Sequence, residues 1–172
     1  AAGAFAQNVA KIGTTEYATL QEAFDAAADG KTIEVLSDIT DFGAISFSGK
    51  QITLKLGGKV VKGTSITVGQ RATLNIGSSL KDPAFNENDY TVTFNYKNSY
   101  SGLLKLKKSI NAVDGGTVIL KNAQVESEDV AFFAVGDQTG ATSVASAVKI
   151  WGGYVKAQEF CVSPQGLGAT VE

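Results

Sequence analysis

The chain has 172 residues, 44% of them hydrophobic and 19% charged, with a net charge of −2. This length fits a single domain with a sizeable core, and the charge argues against a general nucleic-acid binder. Because the chain has no histidine and one cysteine, Cys161, it lacks the ligands of the usual zinc and haem sites and the base of a histidine-dependent triad. The cysteine, between apolar neighbours, is predicted to be buried.

The charges are unevenly distributed along the chain. Residues 50–121 contain 11 of the 15 Lys and Arg residues against four acidic residues, a net charge of +7, whereas the first 49 residues carry −5 and the last 51 carry −4. One interpretation is that these lysines keep a strand-rich surface soluble and block edge pairing. The other is that they form a face for an anionic partner, and the sequence leaves both open.

The N-terminal part predicts an arm followed by one helix. Residues 1–10 are small and uncharged, which predicts an extended arm outside a single domain of residues 11–172. A short strand at Val9–Ile12 is predicted to lead through a turn into a helix over about residues 19–29. Thr19 and Glu22 have the spacing of a capping box, and Gly30 is the predicted left-handed residue that ends the helix. One apolar stripe runs along the helix: Leu20, Ala23, Phe24 and Ala27.

The rest of the chain predicts short strands separated by Gly, Asn, Asp and Ser. The predicted strands are Ile33–Leu36, Ala44–Phe47, Ile52–Leu56, Lys59–Val61, Ile66–Val68, Ala72–Ile76, Thr91–Tyr96, Leu103–Leu106, Thr117–Leu120, Val130–Val135, Val148–Trp151, Tyr154–Lys156, Phe160–Val162 and Ala169–Val171. Leu54, Leu74 and Phe94 recur at a spacing that suggests a repeat of about 20–25 residues. This pattern is typical of an all-β parallel solenoid, with about five or six coils over about residues 32–172 and the helix covering the first coil.

Three stretches carry a family resemblance. The segment AKIGTTEYATLQEAFDAAADGKTIEVLSDIT resembles the N-terminal cap and first coil of right-handed parallel β-helix modules of bacterial secreted and surface proteins, in the pectate-lyase-like superfamily. The segments QITLKLGGKVVKGTSITVGQRATLNIGSSL and AVKIWGGYVKA are similar to its later coils, whereas Lys81–Ala145 departs from the pattern. The resemblance implies the fold, but this superfamily includes lyases, hydrolases, adhesins, phage spikes and inert stalks.

No residue is assigned a catalytic or cofactor-binding role. The loop DPAFNENDY offers oxygen ligands for calcium from Asp82, Glu87 and Asp89, although it lacks the pattern of a dedicated calcium loop. Arg71 is predicted to be a surface corner residue. Two further acidic groups have no spacing that decides between a site and a solvated surface: Asp38 with Asp41, and Glu126 with Glu128 and Asp129.

One aromatic and basic stretch predicts a binding face. Its rings would stack on sugars beside the lysines, and the residues are Tyr90, Tyr96, Lys97, Tyr100 and Lys105. The alternative interpretation is that Phe94 belongs to the core and the tyrosines cover the seams between coils.

The resemblance and the absence of an assembled catalytic set favour a non-enzymatic, extracellular module of a bacterial surface protein or secreted assembly, structural or adhesive, whose signal peptide has been removed. Its expected partners are a cell-surface glycan or other copies of the chain, and neither a nucleic acid nor a membrane span is expected. One alternative is a filament or phage virion subunit that polymerises through an uncapped C-terminal coil and the N-terminal arm. Another is a lyase or hydrolase that acts on acidic glycans.

Overall fold

The computed structural model describes residues 7–77, 101–136, 145–166 and 169–172. These residues form one helix and 17 short strands. In chain order they are β1 (Ala10–Ile12), β2 (Thr15–Tyr17), α1 (Leu20–Ala26), β3 (Lys31–Val35), β4 (Ala44–Ser48), β5 (Gln51–Lys55), β6 (Val60–Gly63), β7 (Ser65–Gly69), β8 (Thr73–Ile76), β9 (Leu103–Leu106), β10 (Ile110–Val113), β11 (Thr117–Leu120), β12 (Gln124–Ser127), β13 (Phe132–Val135), β14 (Ala147–Ile150), β15 (Tyr154–Ala157), β16 (Val162–Gln165) and β17 (Thr170–Val171).

The strands form three sheets. The first sheet has the order β17-β14-β11-β8-β5-β3-β1-β2, the second β15-β12-β9-β6 and the third β16-β13-β10-β7-β4. Beyond β3 the chain visits the sheets in turn, so neighbouring strands come from successive passes and pair in parallel. The all-β, solenoid-like class predicted from the short strands and glycine corners is confirmed at this level.

Successive passes stack aliphatic side chains in register. Ile52 lies opposite Leu74, and Leu54 opposite Ile76, so these two passes are offset by 22 residues. The 20-residue spacing of Leu54 and Leu74 therefore does not mark paired positions. Both leucines are fully buried, but they occupy inward positions two residues apart in the register. Phe94 and the predicted strand Thr91–Tyr96 lie outside the described residues.

Gly116 marks a point where successive passes come very close. A Cβ atom on this residue would lie 1.9 Å from the backbone oxygen of Val68, on the preceding pass. Backbone cannot move aside as a flexible side chain can. The corner before β11 therefore admits only glycine.

The helix forms as the sequence predicts. Thr19 Oγ1 accepts a hydrogen bond from the Glu22 N–H at 3.1 Å, and Glu22 Oε2 accepts one from the Thr19 N–H at 3.2 Å. Side chains of the apolar stripe are buried, and the Phe24 ring lies 5.3 Å from that of Phe47 on β4. The helix therefore covers the N-terminal end of the core.

The predicted end of the helix is wrong. The helix ends at Ala26 with Ala27 as C-cap, while Gly30, with a φ of 72°, lies in the turn that enters β3. The oxygens of Phe24 and Ala27 instead each accept a hydrogen bond from Lys50 Nζ at 2.8 Å. A cation from a distant corner satisfies the helix end, so no left-handed residue is needed there.

An antiparallel hairpin closes the edge of the first sheet. The predicted strand at Val9–Ile12 is present as β1, but β2 is an additional strand, and β1 pairs with both β2 and β3. The sequence predicted that the helix alone covers the first coil. In the structure the helix covers apolar side chains, and β1 of the hairpin pairs with the backbone groups of β3 that would otherwise be free.

The C-terminal end of the described chain is more exposed. Trp151 is 59% exposed, Tyr154 37%, Phe160 64% and Val171 44%, and these are the large exposed apolar side chains among the described residues. Cys161 is also exposed, which contradicts its prediction as buried filler. It lies on the last pass, where no further strand of the described chain pairs with β15, β16 or β17.

Candidate functional site

The outward face of the second sheet carries a row of charged side chains. Lys62, Lys105, Glu126 and Lys156 lie opposite one another on β6, β9, β12 and β15, and we call them the lysine row. Adjacent strands of a sheet are about 4.8 Å apart, and side chains alternate between its two faces. The preceding residues on these strands, Val61, Leu104 and Val125 among them, point into the core. Because the preceding side chains are buried in the core, the alternation along each strand places the lysine row on the solvent side.

A less polar row runs parallel to it on the same face. Val60, Leu103, Gln124 and Tyr154 lie in register two positions earlier on the four strands. The two rows are joined where the Gln124 side-chain amide donates to Glu126 Oε1 at 2.9 Å. The face thus combines charged side chains with aliphatic and aromatic surface.

The lysine row is not neutralised by ion pairs. Within the part of the chain that the structure describes, Lys62, Lys105 and Lys156 form no salt bridge. Lys62 and Lys105 lie directly opposite each other, an arrangement that is unfavourable for two like charges.

An outward row on the first sheet behaves differently. There Glu34 lies between Lys11 and Lys55, with carboxylate-to-ammonium distances of 3.1 Å and 3.6 Å. The hydrogen bond from Lys11 and the charges of both lysines hold the pKa of Glu34 below its ordinary value. The second sheet also places an acidic residue, Glu126, between two lysines, so it differs from the first sheet in the like-charged pair of Lys62 and Lys105.

Two hollows adjoin at Lys105. One, of about 120 Å³, lies along β12 and β15 and includes Glu126, Glu128 and Lys156 in its walls. The other, of about 70 Å³, lies on the side of Lys62 and shares Lys105 and Glu128 with the first. The face is therefore grooved along the direction in which the strands stack.

A surface ion pair borders this groove. Lys107 Nζ lies 2.8 Å from Asp41 Oδ2, and Asp41 Oδ1 accepts a hydrogen bond from the Gly43 N–H at 2.8 Å. Hydrogen bonds from Lys107 and Gly43 hold the pKa of Asp41 below its ordinary value. The hydrogen bond to Asp41 in turn raises the pKa of Lys107. Asp41 thus ties the loop after β3 to the corner after β9.

Asp38, another acidic residue singled out in the sequence, also contacts the backbone through its carboxylate. Asp38 Oδ1 accepts a hydrogen bond from the Val60 N–H at 2.9 Å, whereas Asp129 contributes its backbone N–H, which donates to Ser127 Oγ at 3.0 Å. Among the described residues, no three acidic or cysteine side chains are grouped as metal ligands. Arg71 is an exposed corner residue as predicted, with a φ of 61° and its N–H donating to the Asp114 oxygen at 3.2 Å.

The structure places only one of the predicted binding residues. Lys105 is the second member of the lysine row. The remaining binding and calcium candidates lie outside the described residues: Asp82, Glu87, Asp89, Tyr90, Tyr96, Lys97 and Tyr100.

Sequence reasoning missed the partners of Lys105. The strands VVKG, LLKL and YVKA each carry a lysine directly after a core residue, and QVES carries a glutamate at the same place. This shared position is the sequence pattern from which the row could have been predicted. The pattern shows that the four residues form a row only once the register between the strands is known.

The described part of the chain contains no helix long and apolar enough to cross a membrane. Comparison of the chain with protein-family models, with curated proteins and with solved structures gave no match.

Proposed function

We propose that the chain is a non-enzymatic extracellular module of a bacterial surface protein or secreted assembly, which acts as a rigid support and binds surface glycans. In this proposal it is a right-handed parallel β-helix of about five or six coils, related to the pectate-lyase-like modules that its sequence resembles. The passage of the chain through three sheets, whose strands from β3 onward pair in parallel, and the aliphatic column between them support the fold.

The observation that carries the function is the face of the second sheet. It spans four strands, is grooved and is supported by a packed core, and among the described residues its lysines form no salt bridge; they lie next to the row that ends in Tyr154. Sugars offer both hydroxyl groups and apolar ring faces, which suit cations and an aromatic ring side by side. In contrast, Asp38 and Asp41 bind backbone N–H groups and Lys107, so their carboxylates serve the fold.

The test combines binding with turnover. The purified chain is applied to an array of bacterial surface glycans, and each bound polymer is then incubated with the chain, with and without calcium, and examined for new reducing ends and unsaturated uronates. We expect binding without cleavage. A Tyr154→Ala variant should bind about fivefold more weakly or worse, because an aromatic contact of this kind is worth about 1 kcal/mol or more.

A Phe133→Ala variant is the matched control, because Phe133 lies on an outward strand position of the third sheet. It should bind like the parent. Cleavage of any polymer would refute the non-enzymatic proposal, and absence of binding across the whole array would refute the adhesive one.

A second candidate function is self-assembly into a filament or virion component. The observation that favours it is the exposed apolar C-terminal end, where Trp151, Phe160 and Val171 remain accessible. It predicts association that depends on protein concentration.

A further inference from the structure

We propose that the lysine row binds the phosphate groups of an extended polyol-phosphate polymer that runs along the stacking direction of the strands. This inference rests on the proposed adhesive function and specifies the ligand class of the same face. It is carried by the geometry of Lys62, Lys105 and Lys156 and by the chemistry of lysine.

Two like charges lie side by side in this row. Lys62 and Lys105 face each other on neighbouring strands and form no ion pair among the described residues. The rest of the row, Lys105 with Glu126 and Lys156, alternates in sign as the row on the first sheet does, so the lysine pair is the feature that distinguishes this face. Two adjacent unpaired lysines cost stability in the free protein, and an anion between them removes that cost.

The side chains of the row indicate which anion it binds. The row contains lysines and no arginine, and Arg71 lies at the corner between β7 and β8. The guanidinium fork of arginine binds carboxylates and phosphates in a bidentate way, whereas the compact ammonium of lysine binds phosphate as a point charge with three donors. The two non-bridging oxygens of a phosphodiester share its charge, and each can accept a hydrogen bond from one lysine of the facing pair.

The row is longer than a single phosphate ion. The row spans four strands, and the two hollows extend on either side of Lys105. Glu126 interrupts the row, so the cations form a close pair, Lys62 with Lys105, and a separate site at Lys156 two strand spacings, roughly 10 Å, beyond Lys105. A single phosphate ion would reach one end only. A flexible polymer with regularly spaced phosphates reaches both.

A polyol backbone fits this face better than a nucleic acid does. Single-stranded nucleic acids bind on series of aromatic rings that stack with successive bases. The row beside the lysines offers one ring, Tyr154, and otherwise Val60, Leu103 and Gln124. These side chains suit an aliphatic polyol.

Calorimetric titration with poly(glycerol phosphate) tests the proposal. The variant Lys62→Gln with Lys105→Gln is compared with the variant Lys31→Gln with Lys55→Gln, which removes the same charge from neighbouring strands of the first sheet. We expect the first pair to weaken binding by about tenfold or more, since charged hydrogen bonds are lost, and the second pair to change it by about twofold or less. Circular dichroism confirms that each variant is folded.

The other results count against the proposal. Equal weakening in both variants would indicate diffuse attraction to positive charge, and no weakening in either would exclude the row. Tighter binding of polygalacturonate or of an oligo(dT) strand would refute the ligand class. Binding of neutral glycans without binding of poly(glycerol phosphate) would refute this inference and leave the adhesive function standing, whereas binding of no polymer would refute both.

Discussion

Lys50 is the residue that ends the helix. Its ammonium group reaches from the corner between β4 and β5 to the carbonyl oxygens of Phe24 and Ala27. The last carbonyls of a helix have no partner within it, and a cation beside them also interacts favourably with the helix dipole. One side chain thus fixes the position of α1 on the first pass.

A Lys50→Met variant keeps most of the aliphatic stem and removes the donor. We expect the free energy of unfolding to fall by about 1–3 kcal/mol, because two partly buried carbonyls lose a charged partner. Urea denaturation measures the change, and Lys31→Met, at an exposed position on β3, is the control. A loss no larger than that of the control would show that water replaces Lys50 without cost.

The ion pair of Asp41 and Lys107 predicts a pH dependence. Its hydrogen bonds hold the pKa of Asp41 below the ordinary value of 3.8, so the folded state binds this proton less readily than the unfolded state does. The contribution of Asp41 to the free energy of unfolding is therefore present above pH 3.8 and is lost as the pH falls through the folded-state pKa of Asp41. The pKa of Lys107 is raised above 10.5, so its contribution is present below pH 10.5 and is lost as the pH rises through the folded-state value.

An Asp41→Asn variant tests this dependence. It should be less stable than the parent near neutral pH, and the difference should shrink in acid as Asp41 of the parent takes up its proton. Urea midpoints measured across the acid range give the answer. A difference that stays constant down to the lowest pH would show that the ion pair contributes nothing to it.

Local patterns made some of these residues predictable and others not. The capping box of Thr19 and Glu22 is visible because its two residues are three positions apart. Lys50 is more than twenty residues from the carbonyls it caps, and Lys62 is far in sequence from its row neighbour Lys105. Such contacts depend on the register between passes, which a single sequence does not specify.

The prediction of strands from the sequence is limited in the same way, because some strands depend on their neighbours. β9 and β11, with the sequences LLKL and TVIL, have the predicted bounds because three of the four residues in each are apolar. β12, with the sequence QVES, was missed, since Val125 is its only apolar residue. It forms a strand because its neighbours β9 and β15 supply backbone partners on both sides. Stacking therefore imposes strand structure where local propensity is weak.

The packing of α1 on the first pass predicts a large effect of one substitution. Phe24 is fully buried and lies against Phe47, so Phe24→Ala should lower the free energy of unfolding by about 3–5 kcal/mol. Phe133→Ala, at a half-buried outward position on β13, should cost about 1 kcal/mol or less. Thermal and urea unfolding of both variants provide the comparison. Equal losses would mean that the helix does not seal the core.

At the scale of the whole molecule, the two ends of the stack differ. The N-terminal end is closed by α1 and by the hairpin of β1 and β2, so it presents neither a free core nor an unpaired β3 edge. At the other end of the described chain, β15, β16 and β17 are edge strands with exposed apolar neighbours. Association of two copies through the second end alone gives a dimer, so growth into a filament or virion component needs a further contact on another surface.

One edge at this end is partly protected. The Phe132 N–H donates to the Cys161 oxygen and the Gly136 N–H to the Gln165 oxygen. Because donors alternate along a parallel strand, the nitrogen of Pro164 faces away from β13, where it has no hydrogen to offer an added strand. Contacts between copies should therefore rely on apolar side chains more than on continued pairing of the third sheet.

We accordingly expect the molar mass measured by light scattering during size exclusion to rise with protein concentration towards that of a dimer. A Phe160→Glu, Val171→Glu variant should weaken this association at least about tenfold, since it replaces exposed apolar surface with charges that repel their counterparts on the second copy. Ser46→Glu with Ser48→Glu, at exposed positions of β4 near the closed end, adds the same charge and should leave association unchanged. A constant monomer mass for the parent at every concentration would exclude self-assembly through this end, and equal loss in both variants would attribute association to net charge.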